Sequence, residues 1–305
     1  MTNHKKFAIL ITTKDRRDEL LLTLRKIADL ISRTDTRCIV LDDGSRDQTF
    51  ENLQMHFPEI EVVRHQKSMG YLHSRNKLLE MANAEYAISL DDDAHFLSAS
   101  PLAEIEKLFI ENPACGLIAF RIFWGKTAPA STKSSDHAQR VQSFVGCGHA
   151  WRTSAWKVIP DYPEWFKFYG EEDFASYELF RAGFQVVYAP QILVHHRVDL
   201  KLRKNDSDYT RRLRRSLASG WLLYFLFVPL RLVPRKFAAS IASQFRTKIF
   251  KGNLNALKAL LLAFFDLIVA FPKIISNSNR LTLSEYQAYR KLSRTRIFWK
   301  PGSEQ

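Results

Sequence analysis

Residues 7–13 read Phe-Ala-Ile-Leu-Ile-Thr-Thr, a run without alternation that is apolar up to its two closing threonines. A strand lacking an apolar/polar alternation has to be covered on both faces, which is the situation of strands in the parallel sheets of α/β proteins. The chain beyond Thr13 keeps that constraint. Residues 19–31 carry Leu and Ile at helical spacing, and residues 38–41 form a second short apolar strand. A helix then runs through Phe50 and Leu53 to about His56, with a third strand at 61–63 and, after a Gly70 turn, a helix through Leu78, Leu79 and Met81. Residues 86–90 supply a fourth strand, and residues 120–125, 185–190 and 192–194 read as further ones. Strand and helix in alternation predict a doubly wound α/β layer, and 46% hydrophobic content is enough for its core and excludes disorder.

Two of these strands end in acids. The second runs into Asp42-Asp43-Gly44-Ser45-Arg46-Asp47, the fourth into Asp91-Asp92-Asp93. Three adjacent carboxylates repel, so a fold keeps them on a solvated surface or around a cation. Alone, either motif reads equally well as a turn or a helix cap. Their recurrence at strand ends about fifty residues apart points instead to the crevice where open α/β sheets bind ligands. The helix after Gly70 adds Arg75 and Lys77, placed to meet a diphosphate at a helix start.

With these motifs in order, the chain resembles the inverting, family 2 glycosyltransferases of the GT-A fold. The resemblance spans roughly residues 6–197 and also takes in Gly146-Cys147-Gly148-His149-Ala150-Trp151-Arg152, Gly170-Glu171-Glu172-Asp173 and Phe180-Arg181-Ala182-Gly183-Phe184. It implies a mixed, mostly parallel Rossmann-like sheet flanked by helices, and a nucleotide-sugar site made of Thr12, Thr13, Asp15, Arg16, Asp42, Asp43, Arg75, Asp91, Asp92 and Gly148. Thr12, Thr13 and Asp43 would line the base pocket, and Asp91 or Asp92 would reach the ribose. Asp91 and Asp93 would form the DxD pair, with Asp93 binding Mg²⁺ or Mn²⁺ and His196 or His195 completing the metal shell. A divalent cation suits the chemistry, because a nucleoside diphosphate leaves only when its developing charge is offset.

An inverting transfer also needs a carboxylate to take the proton of the attacking hydroxyl. Four aromatics, Trp165, Phe166, Phe168 and Tyr169, lead into Glu171, Glu172 and Asp173, and apolar surroundings raise a carboxyl toward a base's working range. The chain departs here from the common family pattern, which places an arginine at a fixed distance after the acids. Counting back from Gly183 selects Glu172 as base, whereas counting from the Gly-Glu-Glu-Asp start selects Asp173. Glu172 is the choice, with Asp173 and Glu171 beside it, and at least one of the three also answers a helix macrodipole. The polar segment 126–139 is expected as a mobile loop over the site.

Cys38, Cys115 and Cys147 lack metal-type spacing and read as reduced residues, and the first residues lack the pattern of a signal peptide. The expected location is therefore cytoplasmic, peripheral at the inner face of the cell membrane. The net charge of +13 is uneven: residues 197–305 hold 22 Lys and Arg against 6 Asp and Glu, while the residues before them hold 23 against 26. A boundary results, with a GT-A catalytic domain at 1–197 and a basic, amphipathic helical region at 198–305. The apolar runs of that region are short or interrupted by Pro229, Pro234, Lys258, Asp266, Pro272 and Lys273, which favours helices lying on a membrane surface over helices crossing it.

The function expected is transfer of a hexose or deoxyhexose from a nucleotide-sugar donor to a hydroxyl of a glycan, lipid-linked, in cell-surface polysaccharide synthesis. A sugar nucleotidyltransferase would carry glycines in the loop after the first strand, and Lys14-Asp15-Arg16 has none. Binding to nucleic acid is not expected, because the tail's cations alternate with apolar faces that a duplex would leave exposed.

Overall fold

The computed structural model describes residues 4–198 and 208–301, and these form one nine-stranded sheet with helices on both faces. The chain opens with β1 (Lys5–Thr13), α1 (Arg17–Lys26), α2 (Ala28–Ile31), β2 (Thr36–Asp42), α3 (Thr49–His56), β3 (Glu61–Arg64), α4 (Tyr71–Met81) and β4 (Ala84–Asp91). It continues through β5 (Ala94–Phe96), α5 (Pro101–Glu111), β6 (Cys115–Trp124), β7 (Gln139–Val141), β8 (Gly148–Arg152), α6 (Thr153–Trp156), α7 (Glu171–Arg181) and β9 (Gln185–His196). The helical remainder is α8 (Tyr209–Phe227), α9 (Val233–Thr247), α10 (Leu254–Val269), α11 (Phe271–Asn277) and α12 (Leu283–Lys291).

The strand order is β3-β2-β1-β4-β8-β6-β9-β5, with β7 also on β9. The apolar run of β1 sits inside the parallel part, paired with β2 on one side and β4 on the other, and Phe7 to Ile11 are buried. Its register explains why two acid motifs meet: Thr13 is opposite Asp42 and Thr12 opposite Asp91. β8 is antiparallel to both β4 and β6, and β6 runs parallel to β9, so the sheet is mixed.

The expected single helix at 19–31 is broken at Ile27, whose φ of −114° and ψ of 17° leave the helical region. The break lets Leu24, Ile27, Leu30 and Ile31 all reach the same core. Pro190 does not end β9, because the register shift between Phe120 and Arg121 pairs Ala189 and then Leu193, leaving the proline outside the ladder. The segment before β7 lies against the edge of β9 rather than over the site: Tyr188 Oη donates to Asp136 at 2.9 Å and Arg121 donates to the Thr132 carbonyl at 2.8 Å.

The basic helices share the hydrophobic core of the sheet. Leu222, Leu223, Leu226 and Phe227 of α8 pack with Trp156, Phe166, Phe174 and Leu179. The tail returns to the sheet, where the Trp299 N–H donates to the Ile122 carbonyl at 2.5 Å and its buried ring lies under the Arg121 guanidinium. Among the described residues no single helix is long and apolar enough to cross a membrane, although α10 and α11 together, bent by 55°, meet that test.

Candidate active site

The carboxyl ends of β1, β2 and β4 floor a cavity of about 620 Å³. Gly44 sets one wall. It turns at φ +77°, and a Cβ there would lie 2.9 Å from the Ser68 backbone nitrogen, so only glycine lets the 65–70 loop close on Asp43. Asp43 then accepts from Ser68 Oγ at 2.6 Å and from the N–H groups of Met69 and Gly70 at 2.8 and 3.0 Å, with His65 Nδ1 at 3.0 Å. Burial works to raise this carboxyl, but His65, Ser68 and the two amides together hold it below the ordinary range.

The three aspartates after β4 separate into distinct environments. Asp92 accepts from Thr13 Oγ1 at 2.9 Å and from Arg16 Nε at 2.8 Å, yet burial, with Asp93 and Asp91 adding repulsion, pushes it up to about 7. Asp93 faces His196 Nε2 at 2.9 Å and also binds the Arg16 guanidinium. There burial is overcome by His196 and then Arg16, which hold Asp93 down at about 2. Asp91 accepts from Arg75 at 2.6 Å and lies 3.9 Å from His196 Nε2.

Asp91, Asp93 and His196 each offer a ligand atom within 4.8 Å of the others. Two carboxylate oxygens and one imidazole nitrogen are a donor set that Mn²⁺ or Mg²⁺ accepts, so the residues present fit a divalent cation. His195, one position earlier on β9, takes the opposite face as strand alternation requires, and its Nε2 donates to the Gly125 carbonyl at 2.7 Å.

Arg75 is buried with its guanidinium over the Tyr71 ring, and it donates both to Asp91 and to the Gly146 carbonyl, the latter at 2.8 Å. Gly146 in turn abuts the acids of α7: a Cβ on it would stand 2.8 Å from Glu172 Oε1. Glu171 is buried and its Oε2 has no hydrogen-bond partner. Glu172 is half-buried, and desolvation first, Glu171 second, push its carboxyl well above the usual range. Asp173 is the most solvent-accessible of the three.

Of the residues singled out from sequence, Thr12, Thr13, Arg16, Asp43, Asp91, Asp92, Asp93 and His196 line this one cavity. Asp15, Asp42, Arg75, Gly148 and the acids Glu171, Glu172 and Asp173 do not. Asp15 accepts from the Arg46 N–H at 2.8 Å and so ties the β1 loop to the β2 loop, while Asp42 accepts from the Ser45 N–H at 2.8 Å within its own loop. Gly148 faces Ile122 and Val194 in the core. Sequence reasoning missed Lys14, Tyr71, Lys167 and Phe168 on the walls, and above all Arg211 and Arg215, which α8 delivers to the cavity from the basic region. Their spacing of four residues, one helical face, was the available signal.

A cluster of strand-end carboxylates with a cation-ready triad, facing helix-borne arginines, fits a site for a nucleoside diphosphate. The model of glycosyl transferase family 2 matches residues 8–162, just over half of the chain. The chain belongs to this family. Among curated proteins no sequence matches it significantly. Solved glycosyltransferases share its fold at low identity. GalNAc-T7, solved with UDP, GalNAc and Mn²⁺, is 15% identical at a TM-score of 0.61, covering 79% of this chain and 51% of its own. The mannosyltransferase PcManGT from Pyrobaculum calidifontis, in complex with GDP-Man and Mn²⁺, is 16% identical at 0.54, covering 95% and 79%. S. aureus TarS 1–349 with UDP-GlcNAc is 15% identical at 0.56, covering 90% and 82%. The glycosyltransferase thus spans about half of the GalNAc-T7 chain, and 40% of a longer TarS chain. These likenesses bear out the GT-A fold expected from the motifs.

Proposed function

We propose that this glycosyltransferase moves a hexose or deoxyhexose from a nucleotide-sugar donor to a hydroxyl of a lipid-linked glycan with inversion, in cell-surface polysaccharide synthesis. The reading is supported by donors named with related folds, UDP, UDP-GlcNAc and GDP-Man. The observation that carries it is the link made by Arg75. One guanidinium holds Asp91 at 2.6 Å and the Gly146 carbonyl at 2.8 Å, and Gly146 is the residue against which the Glu172 carboxylate rests. Base and strand-end acids therefore share one rigid frame.

In this reading Glu172 takes the proton of the acceptor hydroxyl as that oxygen forms its bond to the anomeric carbon. The bond from that carbon to the diphosphate oxygen breaks on the opposite face, and the nucleoside diphosphate leaves with the electron pair. Burial and Glu171 make Glu172 a stronger base than an ordinary carboxylate once it is ionised. Asp91, Asp93 and His196 would hold Mn²⁺ or Mg²⁺, which supplies Lewis-acid neutralisation of the diphosphate. Arg211 and Arg215 add fixed positive charge on the cavity wall, and Thr12, Thr13 and Asp43 bound the end assigned to the base. The basic charge after residue 197 supports a cytoplasmic location at the inner face of the cell membrane.

The test is release of nucleoside diphosphate from a panel of UDP-, GDP- and dTDP-sugars with Mn²⁺. Glu172→Gln should retain donor binding and lose turnover, and Asp93→Ala should lose both. Full turnover by Glu172→Gln would overturn the assignment of the base, and turnover by Asp93→Ala that of the metal site.

A further inference from the structure

The helix α10 of the basic region is mostly apolar, its polar residues being Asn255, Lys258 and Asp266. Its inner face, Ala256, Ala259, Leu260 and Ala263, is buried, and Leu260 and Ala263 pack with Trp221 of α8. The opposite face carries Leu254, Leu261, Phe265 and Ile268, which spacings of seven, four and three residues align along one stripe. All four point outward, Phe265 at 61% and Ile268 at 68% of full exposure. The bend into α11 continues the stripe with Phe271 and Ile275, also exposed. A contiguous exposed apolar stripe calls for an apolar environment, and the described residues leave this one uncovered.

Charge decides what covers it. Lys258 is exposed on the stripe itself, between Leu254 and Leu261, and Lys251 and Lys273 are exposed near its ends. The one acid on α10, Asp266, is already satisfied by a two-pronged pair with Arg214 at 2.6 Å for each contact. A second copy of the same face would set these lysines against lysines. An anionic lipid leaflet sets them against phosphates, while the apolar stripe enters the acyl boundary. Crossing the membrane is disfavoured, because α10 would have to surrender its packing on α8.

The stripe also adjoins the reaction. A depression of about 250 Å³ between the 164–167 turn and α8, α10 and α11 is lined by Trp165, Lys167, Arg215, Val269 and Lys273. Lys167 and Arg215 line the donor cavity as well. We infer that the outer face of α10 and α11 docks this glycosyltransferase on an anionic bilayer, holding the cavity mouth at the headgroup level where a lipid-linked acceptor lies. The last clause rests on the function proposed above; the docking itself does not.

The experiment floats the full chain with phosphatidylcholine vesicles with and without phosphatidylglycerol, at low and high salt. The wild type should float with the anionic vesicles, and less so at high salt. Phe265→Ser with Ile268→Ser should lose at least tenfold in vesicle binding while releasing diphosphate from a soluble donor at the wild-type rate, which also reports folding. A wild type that stays unbound to anionic vesicles, a double variant that binds as tightly as wild type, or a wild-type dimer in solution that the double variant dissolves would each overturn the docking surface. Vesicle binding without donor turnover would leave the docking standing and remove the proposed function.

Discussion

Replacing Gly146 by alanine tests the frame that joins Glu172, the proposed base, to the strand-end acids. The new methyl would stand 2.8 Å from Glu172 Oε1, so the carboxylate has to withdraw by about 0.6 Å to reach ordinary van der Waals contact. The far end of a glutamate can make that movement, and Gly146 needs no left-handed backbone, so folding stability should change by no more than about 1 kcal/mol. Catalysis should not be so tolerant. A misplacement approaching 1 Å can cost about a hundredfold in rate, and a shift of this size should lower kcat roughly ten- to a hundredfold, or about 1.4 to 2.7 kcal/mol of barrier. The donor KM should hold, because the diphosphate end of the cavity is untouched. Steady-state release of nucleoside diphosphate measures both. In a Glu172→Gln background the same alanine should have no further effect, since both changes act through one carboxylate. An unchanged kcat in Gly146→Ala, or additive losses in the double variant, would refute the reasoning.

Other outcomes rest on the same geometry. The raised Glu172 carboxyl must lose its proton to act as base, so kcat should climb with pH through a limb displaced above the usual carboxylate range, and this limb should vanish in Glu172→Gln. Asp43 has its folded-state pKa lowered, so its contribution to stability is present above about pH 4 and is lost as the pH falls below it; Asp43→Asn should flatten that acid limb and cost about 1–3 kcal/mol in urea denaturation. Arg75→Met leaves the Gly146 carbonyl unpaired and Asp91 with only Tyr71 Oη at 3.3 Å and the more distant His196, and should cost about 3 kcal/mol, the low end for a broken buried pair because Asp91 opens to the cavity. Arg215→Ala should raise the donor KM severalfold with little change in stability, read from the same assay and a melting curve.

What could be read from the sequence was what local pattern encodes. The unbroken apolar run of β1 dictated a doubly covered strand, and the acids after Leu41 and Leu90 marked the ends of its two neighbours, whose register brings them together. The spacing of Arg211 and Arg215 showed that they share a helix face, but not that the face meets the cavity, because α8 reaches it only through packing of Leu222 and Phe227 on the sheet side. The same limit applies within a motif. Nothing local distinguishes Asp42, whose carboxylate is spent on the Ser45 amide, from Asp43, which opens on the cavity. The short antiparallel strands β5, β7 and β8 escaped notice because three to five residues carry little periodicity, and their partners lie far along the chain.

Trp299 gives the fold a timetable. Its backbone donates to Ile122 and its ring covers Phe123 and Arg121, on the strand whose end residue, Trp124, packs edge-on against His196. All nine strands leave the ribosome before this residue does, so the sheet can assemble while the flank beside the histidine still lacks its cover. This contact should form late, since Ile122 and Trp299 lie far apart along the chain and closing so long a loop is costly. Chains stopped just short of Trp299 would then be expected to fold their core and to differ chiefly in how firmly β6 holds His196.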